Sequence, residues 1–203
     1  MSEHTSTPTL GGQFAKALVY AEVLHHNQVR KGGGAPYIGH LLNVAGLVIN
    51  DGGTEAQAIA ALLHDAVEDT TATVEDIRAN FGDDVARMVA ECSDTDVRPK
   101  PPWRQRKEAH IAHLNTAGAD TLLVSVADKL DNARSLLRDY REIGPPLWQR
   151  FTVTDPAEHL WYFAELLALY RRRGLTSWMV DELERVVGEL KRLIDGQERV
   201  VLV

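Results

Sequence analysis

Residues 58–70 read AIAALLHDAVEDT. An apolar helix through Ala58, Ile59, Ala61, Leu62 and Leu63 does not end its buried face on His64, Asp65, Glu68 and Asp69 unless those groups meet something charged. Four ionisable groups so close together require a counter-ion. A spacing of four places Glu68 one helical turn beyond His64, and Asp69 one turn beyond Asp65, so the second pair lies beside the first. One pair can hold a metal ion while the other handles water. The plainer reading is an exposed acidic helix end with a core histidine. It is weakened because carboxylates at a helix C-terminus oppose the macrodipole.

Working outward, Thr54 is a candidate N-cap for this helix, and Asp51-Gly52-Gly53 ends a preceding one that starts near Gly39. Before that, Phe14, Leu18, Ala21 and Leu24 recur at helical spacing from Gln13 to about Val29, and Gly32-Gly33-Gly34-Ala35-Pro36 forces a loop. Downstream, Thr73 with Asp76 forms a capping box for a short helix closed by Phe81-Gly82, and Asp83 can cap the next, up to Cys92. Asp94 to Pro102 contains three prolines, cannot be helix interior, and is expected to form a mobile loop over a site. Longer helices are expected at residues 103–115, 120–142, 156–173 and 177–195. With almost no sustained period-2 alternation, the expected fold is all-α. One domain spans 13–195, with a disordered leader at 1–12 and a C-terminal tail at 196–203 whose apolar end packs on a partner or frays.

At 203 residues the chain has the size of one domain with a real core. Its 29 acidic residues exceed its 22 Lys and Arg, with no long basic block, so a nucleic-acid footprint is absent. An anionic metabolite must then be held by a metal or by a few local cations. The single Cys92 rules out an internal disulfide and suits a reducing compartment. No apolar run approaches the roughly 20 residues of a membrane helix, and residues 1–12 are too polar for a signal peptide. The expected location is therefore cytoplasmic, with no membrane partner. A homo-oligomer is permitted but not required.

Residues far from 58–70 extend the pattern. The loop after the first helix places Arg30 and Lys31 beside a flexible turn and delivers His40 at the start of the next helix. Within TLLVSVADKLDNARSLL, residues 121–137, Asp128 sits in an otherwise apolar helix, and Asn132 and Ser135 follow on its face. A buried carboxylate with no partner is costly, so Asp128 needs a cation or hydrogen-bond donors. A metal shared with His64 and Asp65 answers both needs. His110 and His113, in a Lys/Glu-rich helix, read as partly exposed. Trp148, Phe151, Trp161 and Tyr162 read as packing residues, with Tyr162 a candidate to reach a substrate.

His40, His64-Asp65 and Asp128 follow the H…HD…D pattern of the HD phosphohydrolase superfamily. Arg30-Lys31, Pro36-Tyr37-Ile38, His64-Asp65 with Glu68-Asp69-Thr70, and Ala127-Asp128-Lys129-Leu130 with Asn132 and Arg134 resemble the hydrolase domain of the RelA/SpoT alarmone enzymes. The resemblance is to their stand-alone, Mesh1-type members and covers about residues 13–173. It implies an HD-type helical bundle with a central divalent-metal site in which His40, His64, Asp65 and Asp128 hold one ion, usually Mn²⁺. Two imidazoles and two carboxylates form a mixed N/O set that admits Mn²⁺ and also Fe²⁺, Co²⁺ or Zn²⁺. It further implies that Glu68 and Asp69 serve catalysis, that Arg30, Lys31 and Asn132 bind a small-molecule nucleotide, and that His25 supplies a supporting hydrogen bond. The reaction implied is hydrolysis of the 3′-pyrophosphate of (p)ppGpp. Alternatives are an HD phosphatase acting on another nucleotide such as NADPH, and a non-catalytic nucleotide- or partner-binding module. The chain departs from the RelA/SpoT pattern at Asp131, where an aromatic residue or His is common, and at Asn27, where Gly is common.

Overall fold

The computed structural model describes residues 9–31, 33–94 and 99–201, with side chains through Gly196. Its helices are α1 Gly12–His25, α2 Ile38–Asn50, α3 Glu55–Leu63, α4 Ala66–Asp69, α5 Val74–Phe81, α6 Asp83–Cys92, α7 Trp103–Leu114, α8 Ala119–Ile143, α9 Pro156–Arg172 and α10 Trp178–Val201. A 3₁₀ segment, Pro145–Arg150, joins α8 to α9. The described residues contain no strand, only the isolated bridge between Val29 and Pro36. The all-α expectation holds.

Ala58 through Leu63 are all buried, and a helix apolar on every side belongs in the middle of a bundle. Accordingly α3 packs against α1, α2, α6 and α8. Its start is fixed locally, because the Thr54 hydroxyl accepts from Gln57 N while the Gln57 side chain accepts from Thr54 N. The turn from α2 is equally tight. A Cβ on Gly53 would lie 2.5 Å from Val48 Cγ1 and 2.8 Å from the Val48 carbonyl oxygen, so only glycine fits there. The Thr73–Asp76 capping box forms at the start of α5 as expected.

Helix α8, at 25 residues and about 37 Å long, is the spine on which the other half of the bundle is laid. Helix α10 lies along it through Met179, Leu183 and Leu190, all fully buried. Ion pairs Arg134–Glu182 and Arg141–Glu189 run along the outside of this seam.

Four boundaries differ from expectation. Residues 58–70 do not form one helix: α3 stops at Leu63 and α4 restarts after Asp65, with His64 and Asp65 forming a turn. The His64 ring takes hold of the backbone there, Nδ1 lying 2.8 Å from the Ala61 carbonyl oxygen. Helix α1 ends at His25 because Gln28–Tyr37 closes on itself, with Arg30 N donating to Ala35 O and Tyr37 N donating to Gln28 O. The cap of α6 is Gly82, at φ 90°, and Asp83 is its first residue. Helix α10 continues to Val201, past the expected end at 195, so most of the supposed tail is helical. Residues 1–8 of the expected leader, 202–203 of the tail and 95–98 of the expected mobile loop lie outside the described residues. Gly12 already belongs to α1, and Gly11 N donates to Glu55 Oε1 at 2.7 Å.

Candidate metal centre and cleft

Three elements converge on one point. Helix α2 supplies His40 from its first turn, the α3–α4 turn supplies His64 and Asp65, and the middle of α8 supplies Asp128. His40 Nε2 lies 3.2 Å from Asp128 Oδ1 and 3.7 Å from Asp65 Oδ2. His64 Nε2 lies 3.1 Å from Asp65 Oδ2 and 3.5 Å from Asp128 Oδ1. Atoms of His40, His64 and Asp65 all fall within 4.8 Å of one another, as donors to one ion must. Both imidazoles are buried, and neither Nε2 makes a hydrogen bond.

An orphaned buried nitrogen is costly, and here two of them face two carboxylates. The other ring nitrogens are engaged, His64 Nδ1 with Ala61 O and His40 Nδ1 with Asp131 Oδ2 at 2.6 Å. That arrangement turns each Nε2 toward the common centre, where a metal-ligating histidine offers its lone pair once the ring gives up its proton. The donors therefore fit a divalent ion, whose charge the two aspartates balance.

The electrostatics show the same need for a cation. Burial alone would push the His40 imidazole down, but Asp128, Asp131 and Asp65 outweigh it and hold the group up at about 9. His64 is raised for the same reason against the same burial. Burial would raise the Asp65 carboxyl, yet the charge of His64 holds it well below the usual range. Asp128 is likewise depressed, first by Lys129, whose Nζ donates to its Oδ2 at 2.5 Å. Tyr37, its phenol pushed far up by burial and by Asp65, remains a donor to Asp65 Oδ2.

From this centre a cavity of about 530 Å³ opens past Asp65, Glu68, Asp69 and Asp128 toward Lys31, Lys100, Arg106, Lys107 and Lys129. A second hollow of about 290 Å³ adjoins it along Arg30, Asn132, Ser135, Leu136 and Asp139. Trp103, Phe151, His159 and Tyr162 wall both. The Glu68 carboxylate accepts from Lys100 Nζ at 2.8 Å and from Asp94 N. Asp69 accepts from Gln28 Nε2 at 3.0 Å. Arg30 is held on α8, donating to Asp131 and, at 2.9 Å, to Asn132, which in turn donates to Asp128.

All nine residues singled out from the sequence thus lie at this centre or along its cleft. His25, as expected, is a support, with Nδ1 on Gln28 Oε1 and its ring stacked on Tyr37. Trp148 packs on Tyr140 and His159, while Phe151 and Tyr162 face the cleft. His110 corrects an expectation: it is buried, not partly exposed, because α7 turns it inward beside Tyr162. Burial, with Lys129 and Lys107 nearby, pushes it down to about 3, so it is neutral. Sequence reasoning assigned no role to Lys100, Arg106, Lys107 or Asp131. Arg106 and Lys107 fall in the helix expected from residue 103, but which of its sides faces inward was not legible.

An HD domain family profile matches residues 17–149. Among curated proteins the chain is similar to guanosine-3′,5′-bis(diphosphate) 3′-pyrophosphohydrolase MESH1 of Xenopus tropicalis. The two are 38% identical over 143 residues, which is 69% of this chain and 76% of that protein. Among solved structures it is similar to a metazoan ortholog of SpoT that hydrolyzes ppGpp and plays a role in starvation responses. That match has a TM-score of 0.60 and 30% identity, covering 82% of this chain and 98% of the other. A Listeria monocytogenes EGD-e protein matches with a TM-score of 0.65 and 33% identity, over 77% and 99% of the two chains.

Proposed function

The chain belongs to the HD domain family, and on that premise we propose that it hydrolyses the 3′-pyrophosphate of the guanosine alarmones ppGpp and pppGpp in the cytoplasm. The products are pyrophosphate and GDP or GTP. MESH1 and the SpoT ortholog support the reaction, and one observation on this chain carries it: two orphaned, buried imidazole nitrogens face two carboxylates at the end of a cation-lined cleft.

His40, His64, Asp65 and Asp128 would hold the ion, and the mixed N/O set suits Mn²⁺. When bound, a divalent ion supplies Lewis acidity toward a phosphate oxygen and lowers the pKa of nearby water. Tyr37 and Asn132 keep Asp65 and Asp128 aimed by hydrogen bonds. Glu68 and Asp69 stand next to them along the cleft. They take the proton of the attacking water as its oxygen bonds to phosphorus and the 3′ O–P bond breaks, and they return it to the 3′ oxygen. Lys31, Lys100 and Lys107 act as point charges for phosphates, and Arg30 and Asn132 meet the nucleoside side. Trp103, Phe151 and Tyr162 offer a flat apolar wall for the purine.

The test is pyrophosphate release from ppGpp by metal-stripped protein, with and without Mn²⁺, beside an NADPH control for phosphate release. Mn²⁺-dependent release from ppGpp is expected. A ppGpp left intact, with phosphate released from NADPH, would overturn the substrate. The double variant Glu68→Gln with Asp69→Asn is expected to lose turnover by a factor on the order of 10²–10⁴ while still binding the ion. An active double variant would overturn the assignment of the two carboxylates.

A further inference from the structure

Asp131 is a buried carboxylate that the reaction above does not use. Its contacts are specific. Oδ2 lies 2.6 Å from His40 Nδ1 and accepts from Arg30 at 3.0 Å, while Oδ1 accepts from Asn43 Nδ2 at 2.9 Å. One carboxylate thus joins a metal-ligand candidate on α2 to the arginine of the 28–37 loop. Asp131 itself lies on α8, one turn beyond Asp128.

We propose that Asp131 is a positioning residue that fixes the proton and the aim of the His40 ring toward the metal and tethers Arg30 at the substrate cleft. The inference rests on the metal-centre reading. A carboxylate accepting from Nδ1–H leaves Nε2 as the only lone pair and raises its basicity, and outer partners of this kind strengthen metal binding. The same negative charge draws the Arg30 guanidinium down onto α8, where it also reaches Asn132. Asn43, exposed on α2, keeps the carboxylate from rotating away.

The experiment titrates Mn²⁺ into the metal-stripped full chain, wild type and Asp131→Asn, by calorimetry. The substitution preserves shape and removes the charge. A dissociation constant weaker by about 10- to 100-fold is expected. At saturating Mn²⁺, kcat should return close to wild type while the KM for ppGpp stays raised, because Arg30 is no longer tethered. In the zinc-loaded protein, the ¹⁵N histidine spectrum should show His40 carrying its proton on Nδ1 in wild type and a changed Nδ1 signal in the variant. Asn43→Ala, at an exposed position, should give a smaller loss of metal affinity in the same direction. Equal Mn²⁺ affinity in wild type and Asp131→Asn would overturn the proposal. A wild type that binds no divalent ion would instead remove the metal centre on which it rests.

Discussion

At His40 the demands of proton and metal oppose each other. The ring holds its proton up to about pH 9 because three carboxylates surround it, against an ordinary value of 6.5. In metal-free protein, the stability it contributes is complete below pH 6.5 and disappears as the pH rises toward 9, because the folded state is the one that binds the proton. Metal binding needs the bare imidazole and runs the other way. Calorimetric Mn²⁺ affinity should therefore strengthen by up to about tenfold per pH unit between pH 7 and 9, and a flat profile would contradict the assignment of His40 as a ligand. The candidate ligands were legible because His64-Asp65 and Asp128 interrupt apolar runs, and such interruptions need partners wherever the chain goes. The inward turn of His110 and the grip of Asp131 were not legible, since each depends on which side of a helix meets another element.

Among the elements, the helix starts were readable wherever a side chain caps its own backbone, as at Thr54 and Thr73. The break at His64-Asp65 was not, because helical spacing continues through it and the contacts made there, His64 with the Ala61 carbonyl and with Asp128, appear only in the folded bundle. The α2–α3 hairpin carries the consequence of its own tight turn. Gly53→Ala forces a methyl group against Val48 and should cost about 1–3 kcal/mol. It should lower the melting temperature by several degrees and weaken Mn²⁺ binding as well, since the turn registers His40 against His64. Destabilisation with unchanged metal affinity would show that the hairpin sets stability but not the ligand geometry.

For the whole molecule, the centre is a knot of charge inside an apolar bundle, and a divalent ion that binds only the folded state must add stability. Mn²⁺ at 100 times its dissociation constant should contribute about 2.7 kcal/mol and raise the melting temperature by roughly 5–10 °C, reversed by a chelator. No shift on adding a divalent ion would count against a built site. The overall class was legible because α3 is apolar on every side and long helical periodicities follow it. The cleft was not, since its cations come from separate segments that only the bundle brings together.

The proposed ligands also arrive at different times. His40 in α2 and His64 and Asp65 in the turn after α3 lie on one stretch of chain whose α2–α3 turn closes locally, whereas Asp128 waits on the distant α8. A growing chain can thus assemble a partial claw before its spine is in place. In stopped-flow refolding with Mn²⁺, His64→Ala should chiefly slow folding, and Asp128→Ala should chiefly hasten unfolding. The ion is then an early guest of the hairpin and a late lock on the bundle.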